Sequence, residues 1–134
     1  MIDYEIDLFD EVMRAVLEVA PGAYVSSQHV AVPPQFPAVS VVETSNLEDA
    51  ATRDSSGEEK YSSLVCTVNV YSASRDDPKA ECKGIAQAID GRMRARNFIR
   101  SYYGPVDNAA DPSIYRIVAR YTGEVRSDGT YFGR

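Results

Sequence analysis

The sequence predicts an α+β domain in which two amphipathic helices pack on one face of a mixed, mostly antiparallel sheet. Three observations predict it. Two segments, near the N-terminus and after Pro78, repeat apolar residues at helical spacing, and two others alternate apolar and polar residues at period two. The order is helix, several strands, helix, two strands, and a single sheet face is the simplest cover for both helical stripes. The 134 residues suit one core, so residues 1–134 are read as a single domain with no internal repeat or linker.

Tyr4 to Ala20 reads as the first helix, with Leu8, Phe9, Val12, Met13, Val16, Leu17 and Ala20 on one stripe and Asp7, Asp10, Glu11, Arg14 and Glu18 opposite. Asp3 is the expected N-cap, Glu5 and Asp7 suit the positive end of the helix dipole, and Pro21-Gly22 ends the helix. Ala23 to Pro37 holds two short β-like pieces, then Pro33-Pro34-Gln35-Phe36-Pro37, an extended connector because prolines donate no ladder hydrogen bond. Ala38 to Thr44 reads as a strand with Val39 and Val41 on one side and Val42 on the other. Residues 45–60 are rich in Ser, Asp, Glu and Asn and read as a long exposed loop or a mobile hairpin.

Ser62 to Tyr71 alternates most clearly, with Leu64, Cys66, Val68 and Val70 expected in the core. A turn over Ser72 to Asp77 leads to Pro78, and Ala80, Ile85, Ala86, Ile89 and Met93 line a second helix to about Arg96. Phe98 to Tyr103 is a short strand, Gly104 to Pro112 a turn-rich loop, and Ser113 to Val125 the last strong strand. In that strand Tyr115, Ile117, Ala119 and Tyr121 face one way, and Arg116, Val118 and Arg120 the other. The tail 126–134 has no pattern and is expected to be extended or flexible.

The net charge of −6 is the wrong sign for a protein that grips nucleic acid through its phosphates. Its distribution says more: residues 1–67 carry 3 Lys/Arg against 12 Asp/Glu, net −9, and residues 68–134 carry 11 against 8, net +3. If the two halves occupy different surfaces, copies would dock head to tail with acid facing base, the contact that builds rings or filaments; if they interleave in one sheet, the charges cancel.

No catalytic, cofactor-binding or metal-ligating residue is assigned. His29 is the lone histidine and has no nucleophile motif beside it, glycine loops for phosphates are missing, and Cys66 and Cys82 lack metal or redox spacing and read as buried thiols. The acids Glu43, Glu48, Asp49, Asp54, Glu58 and Glu59 lack the spacing of a calcium loop and read as a solvated segment. The run Arg92, Arg94, Arg96 and Arg100 reads either as a partner-facing patch or as cations favoured at a helix C-terminus. Arg116 and Arg120 would meet the acidic half of a neighbour or face water. Of the nine tyrosines, Tyr102, Tyr103 and Tyr131 fall in segments with little core pattern and are the interface candidates, together with Glu48, Asp49, Asp54, Glu58, Glu59, Arg116 and Arg120.

The runs Pro21-Gly22-Ala23-Tyr24-Val25-Ser26-Ser27, Val32-Pro33-Pro34-Gln35-Phe36-Pro37-Ala38-Val39, Val68-Asn69-Val70-Tyr71-Ser72, Lys79-Ala80-Glu81-Cys82-Lys83 and Ile114-Tyr115-Arg116-Ile117-Val118-Ala119-Arg120-Tyr121 resemble small neck and tail proteins of long-tailed bacteriophages and prophages, above all the tail terminator or tail completion group. The resemblance covers roughly residues 5–122, in pattern and order, without a catalytic motif. It implies a two-helix, mixed-sheet subunit, not an enzyme, that forms a homo-oligomeric ring, usually a hexamer, on the finished tail tube. Such a ring stops tube polymerisation and offers the head-tail joining surface. Its implied partners are copies of itself, the tail tube protein and the head-tail connector or adaptor proteins, with DNA passing the lumen without specific binding, no membrane and no cofactor. The implied location is the virion tail and neck after synthesis in the host bacterial cytoplasm. A head-closure or head-tail adaptor of the neck is the alternative; a small hydrolase or a nucleic-acid-binding module is the reading outside this class. The acidic 45–60 segment would then line the lumen or touch the tube.

Overall fold

Leu8, Val12, Ala15 and Val16 are buried along one stripe of α1 (Glu5–Val19), the spacing that the helical periodicity demands. The computed structural model describes residues 5–48, 61–126 and 131–132. After α1 come β1 (Tyr24–Ser26), β2 (Ala38–Glu48), β3 (Tyr61–Ser72), α2 (Pro78–Ala95), β4 (Ile99–Pro105), β5 (Tyr115–Arg126) and β6 (Tyr131–Phe132). The expected N-cap Asp3 lies outside the described residues.

The strand order is β1-β2-β3-β5-β4, with β6 also on β5. β1 runs parallel to β2, and every other pair is antiparallel, so the sheet is mixed and mostly antiparallel as expected. Val39 and Val41 of β2, Leu64, Cys66, Val68 and Val70 of β3, and Ile117, Ala119, Tyr121 and Val125 of β5 share one parity across the ladders. They form a single buried cluster with Leu8, Val12 and Val16 of α1 and Cys82, Ile85, Ala86, Ile89 and Met93 of α2. Burial of these side chains, at about 1.5–3 kcal/mol each, is what holds both helices against that side of the sheet. Ala80, expected on the α2 stripe, is exposed, as is Leu17 on α1.

α2 begins as its sequence dictates: Pro78 occupies the first turn and the Asp77 Oδ1 accepts the Ala80 amide at 3.0 Å. It ends at Ala95 with Arg96 as the C-cap, where the sequence placed it, though no glycine announces the form of the cap. Asn97 adopts φ 63, the Phe98 amide donates to Met93 O and the Asn97 amide to Arg94 O, which together form a Schellman cap with asparagine where glycine is usual. Phe98 then turns into the core and launches β4 along β5.

Three boundaries differ from expectation. Of the segment 45–60, read as a loop or a hairpin, residues 45–48 continue β2 and pair antiparallel with β3 past a register shift between Glu43 and Ser45, while 49–60 lie outside the described residues. β4 extends into the expected loop as far as Pro105. In the tail expected to be extended or flexible, Arg126 closes β5 and Tyr131–Phe132 are extended and pair with Glu124 and Val125. The extra sheet hydrogen bonds give these polar stretches their order without apolar periodicity. Of the two β-like pieces before Pro37, one forms a strand, β1; the connector after it includes a cis Phe36-Pro37 peptide and is tied back by Gln35 Nε2 donating to Gly22 O.

Candidate functional site

The strand order separates the two halves of the chain. α1, β1 and β2 belong to the acidic first half and lie on one lateral side of the sheet; α2, β4 and β5 belong to the basic second half and lie on the other, with β3 at the junction. Among the described residues the charge asymmetry along the sequence therefore falls across the molecule, although the two halves cancel in part where the helices meet.

Part of that asymmetry is used within the subunit. Along the seam between the helices, Glu11 receives Arg92 at 3.1 Å and Arg96 at 2.8 Å, and Glu18 receives Arg92 at 2.6 Å. The hydrogen bond from Arg96 holds the Glu11 carboxyl below the usual carboxylate range; burial opposes this, and Arg92 reinforces it. One turn away, Asp90 accepts from Arg94 at 2.8 Å, Arg100 at 3.0 Å and the Tyr121 hydroxyl at 2.8 Å. Burial pushes the Asp90 carboxyl up, yet these three donors bring it below its ordinary value, while burial and the adjacent Asp90 push the Tyr121 phenol up. The arginine run is therefore engaged in ion pairs within the chain, so the cause is neither an open partner-facing patch nor the helix dipole alone.

Among the described residues Glu124, opposite Ser63 at one end of the sheet face away from the helices, is buried, and a cluster covers the other end of that face. There Ala38, Tyr71 and Ile114 form a second small cluster with Tyr24 and Phe36, and Asn108 Nδ2 donates to Ala31 O at 3.0 Å, pinning the loop after β4 to the connector. Arg116 belongs to this covered end: its Nε donates to the buried Asn69 Oδ1 at 2.9 Å and its guanidinium lies 5.9 Å from the Tyr71 ring centre. Burial pushes the Tyr71 phenol up, and Arg116 pulls it back. Arg120, four residues on, is exposed on the same face with its guanidinium 5.8 Å from the Tyr102 ring. Leu47, Ile99 and Tyr102 are exposed there too. Thr44, at the β2 irregularity, donates to Val65 O and lies 3.4 Å from the Thr67 hydroxyl.

The expected interface residues are thus distributed rather than gathered. Arg120 and Tyr102 meet on the helix-free face. Tyr103 lies on the helix side of β4, with Arg100 5.5 Å from its ring, and burial pushes its phenol up. Glu48 ends β2 and Tyr131 opens β6 by their backbones, whereas Asp49, Asp54, Glu58 and Glu59 lie outside the described residues. Sequence reasoning missed Ile99 and Leu47, whose exposure is hidden because an apolar residue in a strand is ordinarily read as core.

Cys66 and Cys82 are buried free thiols, as expected, and burial pushes each up to about 12, so neither carries a thiolate near neutrality. His29 is exposed on the connector. Among the described residues, no three His, Cys, Asp or Glu side chains converge as a metal site, and no helix is long and apolar enough to cross a membrane. An open depression of about 720 Å³ lies beside the 105–116 segment, lined in part by Pro78, Pro105, Asn108, Pro112, Tyr115 and Arg116; its ionisable groups are Asp107, Tyr115 and Arg116. Comparison with protein-family models gives no match, and comparison with curated proteins gives none either.

Proposed function

We propose that this chain is a structural subunit of a long-tailed bacteriophage, a tail terminator that forms a homo-oligomeric ring on the end of the tail tube, halts its polymerisation and presents the head-tail joining surface. The observation that carries the reading is lateral polarity: an acidic side and a basic side lie at opposite ends of one sheet. A subunit polarised in this way docks acid to base with the next copy, and a repeated head-to-tail contact closes into a ring when its rotation closes. The two-helix, mixed-sheet architecture accords with the resemblance of residues 5–122 to tail terminators. Under this reading the chain works in the tail and neck of the virion, contacts the tube protein below and the connector above, and lets DNA through a lumen that does not hold phosphates.

The test is tube growth. Added to polymerising tube subunits from the same phage, the protein should sit at tube ends and stop elongation. Tubes that grow on with no protein bound would overturn the proposal, and binding to DNA-filled heads instead of tubes would move the chain to the head-closure alternative.

A further inference from the structure

Resting on the ring reading above, we infer that the contact between neighbouring copies joins the outer flank of α1 on one subunit to the β4 edge of the next. α1 has two apolar stripes. The first, through Leu8, Val12 and Val16, fills the core. At 3.6 residues per turn, Glu11 and Glu18 mark the side turned to α2, and Ile6 and Leu17 fall together on the outward side of the helix, away from the core stripe. Ile6 is 76% exposed and Leu17 38% exposed, and Asp10 lies between them. Nothing in the fold of a single subunit requires this flank to be apolar.

The opposite lateral end of the molecule is the complement. β4 is an edge strand whose outer side faces no strand among the described residues. It exposes Ile99 and Tyr102 on the helix-free face and Tyr103 on the helix side, all within seven residues. Arg120, exposed over the Tyr102 ring, gives this end a positive charge against Asp7 and Asp10 of α1, whereas Arg100, over Tyr103, is already paired with Asp90. Apolar surface therefore meets apolar surface, and negative meets positive, only when the two ends belong to different copies. The two patches sit at opposite ends of one sheet, which excludes contact within a subunit and makes the joint heterologous.

Mixing two variants tests it. Ile6→Asp with Leu17→Asp blocks the α1 flank and leaves β4 intact; Tyr102→Asp with Tyr103→Asp does the reverse. All four side chains are exposed, and circular dichroism verifies that both variants fold. In sedimentation velocity each variant alone should remain monomeric where the wild type forms rings, and an equimolar mixture should stop at dimers, because one intact joint survives per pair. Wild-type-like assembly of either variant alone, or a mixture that stays monomeric, overturns the inference while leaving the ring standing. A wild type that never self-associates, alone or on tubes, overturns the ring reading itself.

Discussion

Of the described glycines, Gly123 is the one at which an added Cβ would meet its nearest neighbour at the shortest distance, and replacing it reports on how β4 is held. A Cβ built there would lie 2.7 Å from Phe98 Cδ2 and 2.8 Å from Cε2 and Cγ, well inside van der Waals contact with a ring that is itself 3% exposed. Phe98 is buried in the core cluster and its backbone is held by the α2 cap, so relief requires repacking of buried neighbours. Gly123→Ala should therefore act as core overpacking and destabilise by about 1–3 kcal/mol, even though alanine is otherwise the better strand residue by about 0.5–1 kcal/mol. For a domain of this size that is roughly a 3–5 °C fall in Tm per kcal/mol. Equilibrium urea unfolding should show a lower midpoint at unchanged m-value. The decisive background is Phe98→Ala, which by itself costs about 3–5 kcal/mol through the cavity it leaves. In that background Gly123→Ala should be neutral or mildly stabilising, which gives a coupling of at least about 1 kcal/mol in the double-mutant cycle. Equal costs in both backgrounds would refute the steric account.

Other expectations follow from the same contacts. Glu11 is depressed in the folded state, so its contribution is present above the ordinary value near 4.5 and is lost as pH falls through the lower folded value; Glu11→Gln should lower stability at pH 7 and flatten the acid limb of a stability-pH curve. Asn97→Gly should stabilise by up to about 1 kcal/mol, since φ 63 is a conformation glycine adopts freely, and thermal melts will register it. The paired arginines of β5 should separate: Arg116→Glu strips the buried Asn69 of its donor and should cost about 1–3 kcal/mol in unfolding experiments. Arg120→Glu, exposed over Tyr102, should leave stability within about 0.5–1 kcal/mol while weakening self-association in sedimentation.

How much of this was legible in the sequence depends on where one side of an element is buried. The faces of β3 and β5 were readable because Leu64 to Val70 and Ile117 to Tyr121 have a packed side and an open side, and period two records the difference. β2 lost its pattern past Glu43, where the register shift around Thr44 breaks the alternation just as the strand leaves the core. A second shift between Arg100 and Tyr102, in a strand exposed almost throughout, hid the run of β4 to Pro105 in the same way. The α2 cap escaped because Asn97 stands where glycine would have signalled it. The charge asymmetry was countable in advance, but its two outcomes were equivalent until the strand order put β5 between β3 and β4. Likewise, the acids of α1 and the arginines of α2 were visible as composition; that Glu11 and Arg92 meet is a fact of tertiary packing across 81 residues.

Copies of this chain joined end to end in a closed circle are what every functional statement above requires. Negative-stain images of the protein mixed with tail tubes should show a rotationally symmetric ring seated on the tube end. Bare tube ends, with the protein remaining monomeric in solution at the highest attainable concentration, would contradict it.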